Sequence, residues 1–185
     1  MAVGTSGNIV RSTDNGTTWD NASSPTADTL SGVGFGNNTF VVVGYNGNIL
    51  RSTDNGSSFD NVTSPTTNTL VGVVFGNNTF VAVGSSGNIA RSTDNGTTWD
   101  NASSPTADTL SGVGFGNNIF VVVGYNGNIL RSTDNGSSFD NVTSPTALEM
   151  SSVIGSDVHL STPTICLFKI NTLEKLIFLP SSNLP

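Results

Sequence analysis

Apolar residues in this chain come in short bursts, and clusters of Asn, Gly, Thr and Ser separate the bursts. None of the bursts is long enough to make a buried helix, whereas each fits a short strand. Residues 29–36 place Val33 and Phe35 on one face of a strand, because side chains alternate along an extended backbone. Phe40-Val41-Val42-Val43 follows as a continuous apolar run, rich in β-branched residues that suit a pleated surface. Residues 49–53 make a third strand, and a fourth is expected to begin within residues 57–60. The links carry turn chemistry: Asn37-Asn38, Asn46-Gly47 and Asn55-Gly56 supply residues that accept positive φ in tight hairpins. Ser64-Pro65-Thr66 is a looser connection. The pattern predicts a four-stranded antiparallel meander.

That meander repeats. Arg-Ser-Thr-Asp-Asn-Gly begins at Arg11, Arg51, Arg91 and Arg131, with a period of 40 residues. A superperiod of 80 overlies it, since residues 11–50 recur as residues 91–130 with Thr39 replaced by Ile119. The strand Phe40-Val41-Val42-Val43 is apolar on both faces, so each sheet needs cover on both sides, and stacked copies provide it. Radial stacking of four-stranded units of about 40–50 residues is the β-propeller. The expected fold class is therefore all-β: a β-propeller of four-stranded antiparallel blades, about four per chain.

Ser12-Thr13-Asp14-Asn15-Gly16-Thr17-Thr18-Trp19 resembles the Asp-box, the bacterial neuraminidase repeat Ser-x-Asp-x-Gly-x-Thr-Trp. Copies start at Ser52, Ser92 and Ser132, with Phe replacing Trp in two of them. The resemblance covers about residues 1–146 and implies a propeller of the kind found in many bacterial extracellular proteins. It also implies a structural role for Ser12, Asp14, Gly16 and Trp19, for Ser52, Asp54, Gly56 and Phe59, for Ser92, Asp94, Gly96 and Trp99, and for Ser132, Asp134, Gly136 and Phe139. In each set the carboxylate and hydroxyl would bond turn backbone groups, Gly would take the left-handed position, and the ring would fold onto its hairpin.

Composition narrows the function. Six Lys+Arg against 13 Asp+Glu give a net charge of -7, so there is no basic stripe for nucleic acid and no cationic face for an anionic membrane. No apolar stretch approaches the ~20 residues that span a bilayer. A basic, apolar leader is absent after Met1, while the family resemblance leans towards an extracellular setting. Cys166 and His159 each stand alone, which removes a disulfide framework and a His/Cys metal cluster, and no cofactor is expected. Propeller sialidases resemble one another in needing an arginine triad, a Tyr nucleophile with a Glu partner and an acidic proton donor. Here Arg11, Arg51, Arg91 and Arg131 are related by the repeat, and both Glu149 and Glu174 lie outside it. Repeated environments do not give two carboxylates different roles, so no catalytic residue is expected.

Two readings of function follow. The first is a non-enzymatic scaffold binding glycans or proteins through repeated loops, with Tyr45 and Tyr125 as candidate ligand-stacking residues. The second is a recently amplified or constructed repeat propeller with a purely self-assembling role. The ends bear on assembly. Met1-Ala2-Val3-Gly4 matches Val81-Ala82-Val83-Gly84, so the chain starts within a blade, and residues 146–153 resemble an opening strand that could complete it. Blades are expected over residues 1–153 and a non-repeat tail over 154–185, with short strands around Ile165-Cys166-Leu167-Phe168 and Leu176-Ile177-Phe178-Leu179. Near-identical units want one blade-to-blade angle. If that angle suits eight blades, a homodimer closes a single ring; if it suits four, one chain closes alone, and a rotation that fits neither makes open filaments.

Overall fold

The structure is a computed structural model that describes residues 1–155. The expected short strands near Cys166 and Phe178 lie outside the described residues. Four antiparallel sheets follow one another along the chain. The first has three strands: β1 (Ala2–Val3), β2 (Ile9–Arg11) and β3 (Asp20–Asn21). The second holds β4 (Leu30–Gly36), β5 (Thr39–Gly44), β6 (Ile49–Ser52) and β7 (Asp60–Val62). The third holds β8 (Leu70–Gly76), β9 (Thr79–Gly84), β10 (Ile89–Ser92) and β11 (Asp100–Asn101). The fourth holds β12 (Leu110–Gly116), β13 (Ile119–Gly124), β14 (Ile129–Ser132) and β15 (Asp140–Val142). Within each sheet the strands lie in sequence order, as a meander requires.

The turns form where the sequence supplies residues for them. Asn37 and Asn38 sit at φ 46 and 56, and Asn46 and Gly47 at φ 57 and 71. The Asn48 N–H closes the second turn onto the Tyr45 carbonyl at 3.1 Å. The fourth strand starts at Asp60, the last position of the expected range, because the Ser57 and Ser58 amides bond the Asp54 carboxylate instead of a neighbouring strand.

Alternation along each second strand couples the blades. Val42 faces back and shares a core with Ile9 and Val3 of the first blade, together with Leu30, Leu50 and Phe59. Val41 and Val43 face forward and pack with Leu70, Phe80, Ala82 and Trp99 of the third. Val81 and Val83 repeat this against Leu110, Phe120 and Phe139 of the fourth. Burying one such side chain contributes about 1.5–3 kcal/mol, so most of the apolar content works between blades rather than inside one.

The first strands of successive blades lie side by side. The Phe75 ring covers Gly36 and the Phe115 ring covers Gly76, so closely that a Cβ on either glycine would collide with the ring. Residues 150–155 take the corresponding place after β12. A Cβ on Gly112 would be 3.0 Å from the Ser152 Cα, just as one on Gly32 would be 3.2 Å from the Gly72 Cα. The Met150 N–H donates to the Gly124 carbonyl at 3.1 Å, matching Leu30 N–H to the Gly4 carbonyl at 2.9 Å. The segment therefore lies where the first strand of a following blade would lie.

Candidate functional site

Each Ser-Thr-Asp-Asn-Gly turn is held by its own side chains. In the first, the Ser12 hydroxyl donates to Asp14 Oδ1 at 2.8 Å and accepts from the Gly16 N–H at 2.8 Å. The Thr18 N–H reaches Asp14 Oδ1 at 2.9 Å, and its hydroxyl reaches Oδ2 at 2.6 Å. Ser52, Asp54, Gly56 and Ser58 repeat the arrangement, as do Ser92, Asp94, Gly96 and Thr98, and Ser132, Asp134, Gly136 and Ser138. Left-handed Asn-Gly pairs make the bend, with Asn55 at φ 61 and Gly56 at φ 75.

These bonds set the acidity of the carboxyls. The Thr18 hydroxyl and amide, followed by Ser12, lower Asp14 from the usual 3.8 to about 2. Asp134 falls to about 2 through the Ser138 hydroxyl, against an opposing desolvation cost. The Ser58 hydroxyl and amide hold Asp54 lower still. For Asp94, burial pushes upward, but the Thr98 hydroxyl and amide together with Ser92 outweigh it and the carboxyl is lowered. All four are therefore anions bonded to their own hairpins. Among the described residues no group of three or more His, Cys, Asp or Glu could hold a metal ion.

The aromatic ending each turn also folds back. Trp19 and Trp99 each donate their indole N–H, to Gly16 and Gly96 carbonyls at 3.1 Å. Trp99, Phe59 and Phe139 are 7%, 4% and 3% exposed, because each inserts against the preceding blade. Trp19, in the same local sequence, is 48% exposed.

The arginines do something that sequence reasoning missed. Arg51 Nε donates to the Asn95 carbonyl and Arg91 Nε to the Asn135 carbonyl, both at 2.8 Å, and Arg11 reaches the Asn55 carbonyl at 3.3 Å. Each guanidinium thus ties one blade to the Asn-Gly turn of the next. In return the Asn95 and Asn135 amides donate to the Thr39 and Thr79 hydroxyls at 2.6 Å. The signal was present as a fixed offset between each Arg and the Asn of the following unit. Its meaning depends on blade spacing, which no linear pattern encodes.

Tyr45 and Tyr125 stand in the turns joining the second and third strands of their blades and are 52% and 45% exposed. The neighbouring Asn46 and Asn48 amides bond the Asp28 carboxylate at 3.2 and 2.7 Å, which fixes the turn around Tyr45. In the fourth blade the Asn126 and Asn128 amides bond the Asp108 carboxyl and lower its pKa. A separate polar groove of about 330 Å³ runs along Arg51, Thr53, Asp60, Asn61 and Thr97. Its one cation is already committed to Asn95.

No family model and no curated protein matches the sequence. Solved structures do. A structure of YCF48 bound to D1 peptide is similar over 98% of this chain and 59% of its own, at 17% identity and a TM-score of 0.71. The RRP9 WD40 repeats match over 90% of this chain and 54% of theirs, at 10% identity and a TM-score of 0.68. An ancestral GH74 enzyme matches over 94% of this chain and 28% of its own, at 16% identity and a TM-score of 0.66. The chain therefore spans less than two thirds of the length of each. The protein has the β-propeller fold, built from tandem blades.

Proposed function

We propose that the chain is a non-enzymatic propeller scaffold of the Asp-box type, presenting repeated rim turns to a protein or glycan ligand. The observation that carries this reading is where the repeated polar side chains go. The turn carboxylates are spent within their hairpins, and Arg11, Arg51 and Arg91 are spent between blades. What the repeat leaves exposed at equivalent places is an aromatic ring on a braced turn, at Tyr45 and again at Tyr125. Such rings stack on sugar faces or on apolar peptide side chains, and two copies multiply a weak contact. YCF48, a fold neighbour, is recorded with a bound peptide, which favours the protein ligand.

The scaffold works as a homodimer closing one ring. That the chain matches 59% of the YCF48 chain and 54% of the WD40 chain supports an arc that a second copy completes. The ligand reading is tested on peptide and glycan arrays with the chain and with Tyr45→Ala/Tyr125→Ala. Saturable binding lost in the double variant supports it. Tight folding with no ligand on any array favours the self-assembling alternative, and hydrolysis of a sialoside overturns the non-enzymatic reading.

A further inference from the structure

Every blade after the first is covered by the blade before it. Gly56, Gly96 and Gly136 lie against Met1, Val41 and Val81 respectively, whereas a Cβ on Gly16 would meet nothing within 4 Å among the described residues. The Asn55, Asn95 and Asn135 carbonyls accept an arginine of the preceding blade, whereas the Asn15 carbonyl accepts none among the described residues. Arg131, at the other end of the arc, donates to no carbonyl among the described residues. Trp19 is 48% exposed against 7% for Trp99.

The first blade is open at a second place, its inner edge. In the other blades the first strand lies against the second so closely that a Cβ on Gly44, Gly84 or Gly124 would collide with the carbonyl of Thr29, Thr69 or Thr109. Among the described residues the equivalent Gly4 meets nothing within 4 Å, and β1 pairs with β2 alone. Phe35, on the strand that would lie beside that edge, is 54% exposed, while Phe75 and Phe115 are half-buried. At the far end, residues 150–155 already lie beside β12 as the first strand of a following blade, with no second strand to pair with among the described residues.

We propose that two copies exchange this segment: residues 150–155 of one chain form the innermost strand of the first blade of the other. This rests on the two-chain ring proposed above and specifies how it closes. The repeat dictates the register. Leu110 faces Gly124, Gly112 faces Val123 and Val113 faces Val122 in the fourth blade. Shifted by one blade, Met150 faces Gly4, Ser152 faces Val3 and Val153 faces Ala2 of the second copy. The same shift brings Arg131 to the second copy's Asn15 carbonyl and its Trp19 against Val121 and Val123. Those two valines are 8% and 2% exposed in the single chain, so Trp19 of the second copy must displace that cover to reach them. Ring closure requires the same exchange at both junctions, and no open edge is left to template a filament.

A disulfide tests the register. A Cβ on Gly32 would be 3.2 Å from Val43 Cγ2, so side chains at the positions of Ser152 and Val3 point towards each other. Residues directly opposite in an antiparallel pair stand within disulfide range. The full-length variant Val3→Cys/Ser152→Cys/Cys166→Ser is oxidised and run on a denaturing, non-reducing gel, and the unsubstituted chain is weighed by light scattering across dilutions. The expected result is a two-chain band together with a solution mass twice the 19.0 kDa of one chain. A two-chain mass without the cross-link, or with a disulfide confined to one chain, overturns the exchange and leaves the dimer standing. A ladder of longer species overturns two-copy closure. A chain-sized mass overturns both the exchange and the dimer, whether or not the variant folds.

Discussion

Arg51 Nε lies 2.8 Å from the carbonyl oxygen of Asn95, a residue in the Asn-Gly turn of the next blade. The contact joins the two features that repeat most strictly in the chain, the arginine and the turn. It gives each turn a second task, as acceptor for its neighbour. Losing a hydrogen bond to a charged group costs about 1.5–3 kcal/mol. Arg51→Ala is therefore expected to lower stability by about 2 kcal/mol in chemical denaturation. Arg11→Ala should cost less, since its bond is longer, at 3.3 Å, and exposed. Equal losses would show that the guanidinium contributes through packing alone.

The turn serine makes a second, sharper contrast. The Gly56 N–H donates to the Ser52 hydroxyl at 3.0 Å and is buried, whereas Gly16, bonded to Ser12 at 2.8 Å, is exposed. Ser52→Ala leaves a buried amide without a partner, at a cost of about 1–3 kcal/mol, while water replaces the hydroxyl in Ser12→Ala. A melting series of both variants is expected to show a clear drop for Ser52→Ala and little change for Ser12→Ala.

Most of the fold was legible because it rests on local chemistry. Asn37-Asn38, Asn46-Gly47 and Asn55-Gly56 take the positive φ values that their identities favour, and the run Val41-Val42-Val43 is buried on both faces as its composition demands. The fourth strand starts only at the end of its expected range, since Ser57 and Ser58 look like strand residues until the Asp54 carboxylate captures their amides. Trp19 and Trp99 show the limit of linear pattern: identical neighbours in sequence, and exposures of 48% and 7%. Position along the arc separates them, which only packing between blades reveals. The arginine bridges were unreadable for the same reason.

Acid should loosen the turns in a defined window. Asp14 and Asp134 titrate at about 2 in the folded chain against a usual 3.8, so the unfolded chain binds protons more readily. Folded-state carboxyls lowered in this way add stability that is fully present above about pH 4. It is lost as pH falls towards 2, when the hairpins must give up their anions. Denaturation midpoints are expected to stay level from pH 7 to about 4.5 and then to fall. Asp134→Asn should lower the plateau and flatten that fall. An unchanged slope in the variant would place the acid sensitivity elsewhere.

Gly4 offers a substitution whose effect depends on assembly. In the second, third and fourth blades the matching glycine is pressed against a first strand, and a Cβ on Gly84 would collide with the Thr69 carbonyl. Gly84→Ala should therefore destabilise the chain itself, by about 1–3 kcal/mol of overpacking. Gly4 meets nothing within 4 Å among the described residues and sits in extended backbone at φ -167, a conformation alanine adopts without strain. Gly4→Ala should leave the fold intact, yet obstruct a strand arriving from a second copy. Trp19 reports the difference in a Trp99→Phe background, because its indole passes from half-exposed to buried when the ring closes. Its emission is expected to shift to shorter wavelength as the concentration rises, and Gly4→Ala should move that transition to higher concentration. A Trp19 emission independent of concentration, with a chain-sized mass, would mean that the first blade stays open.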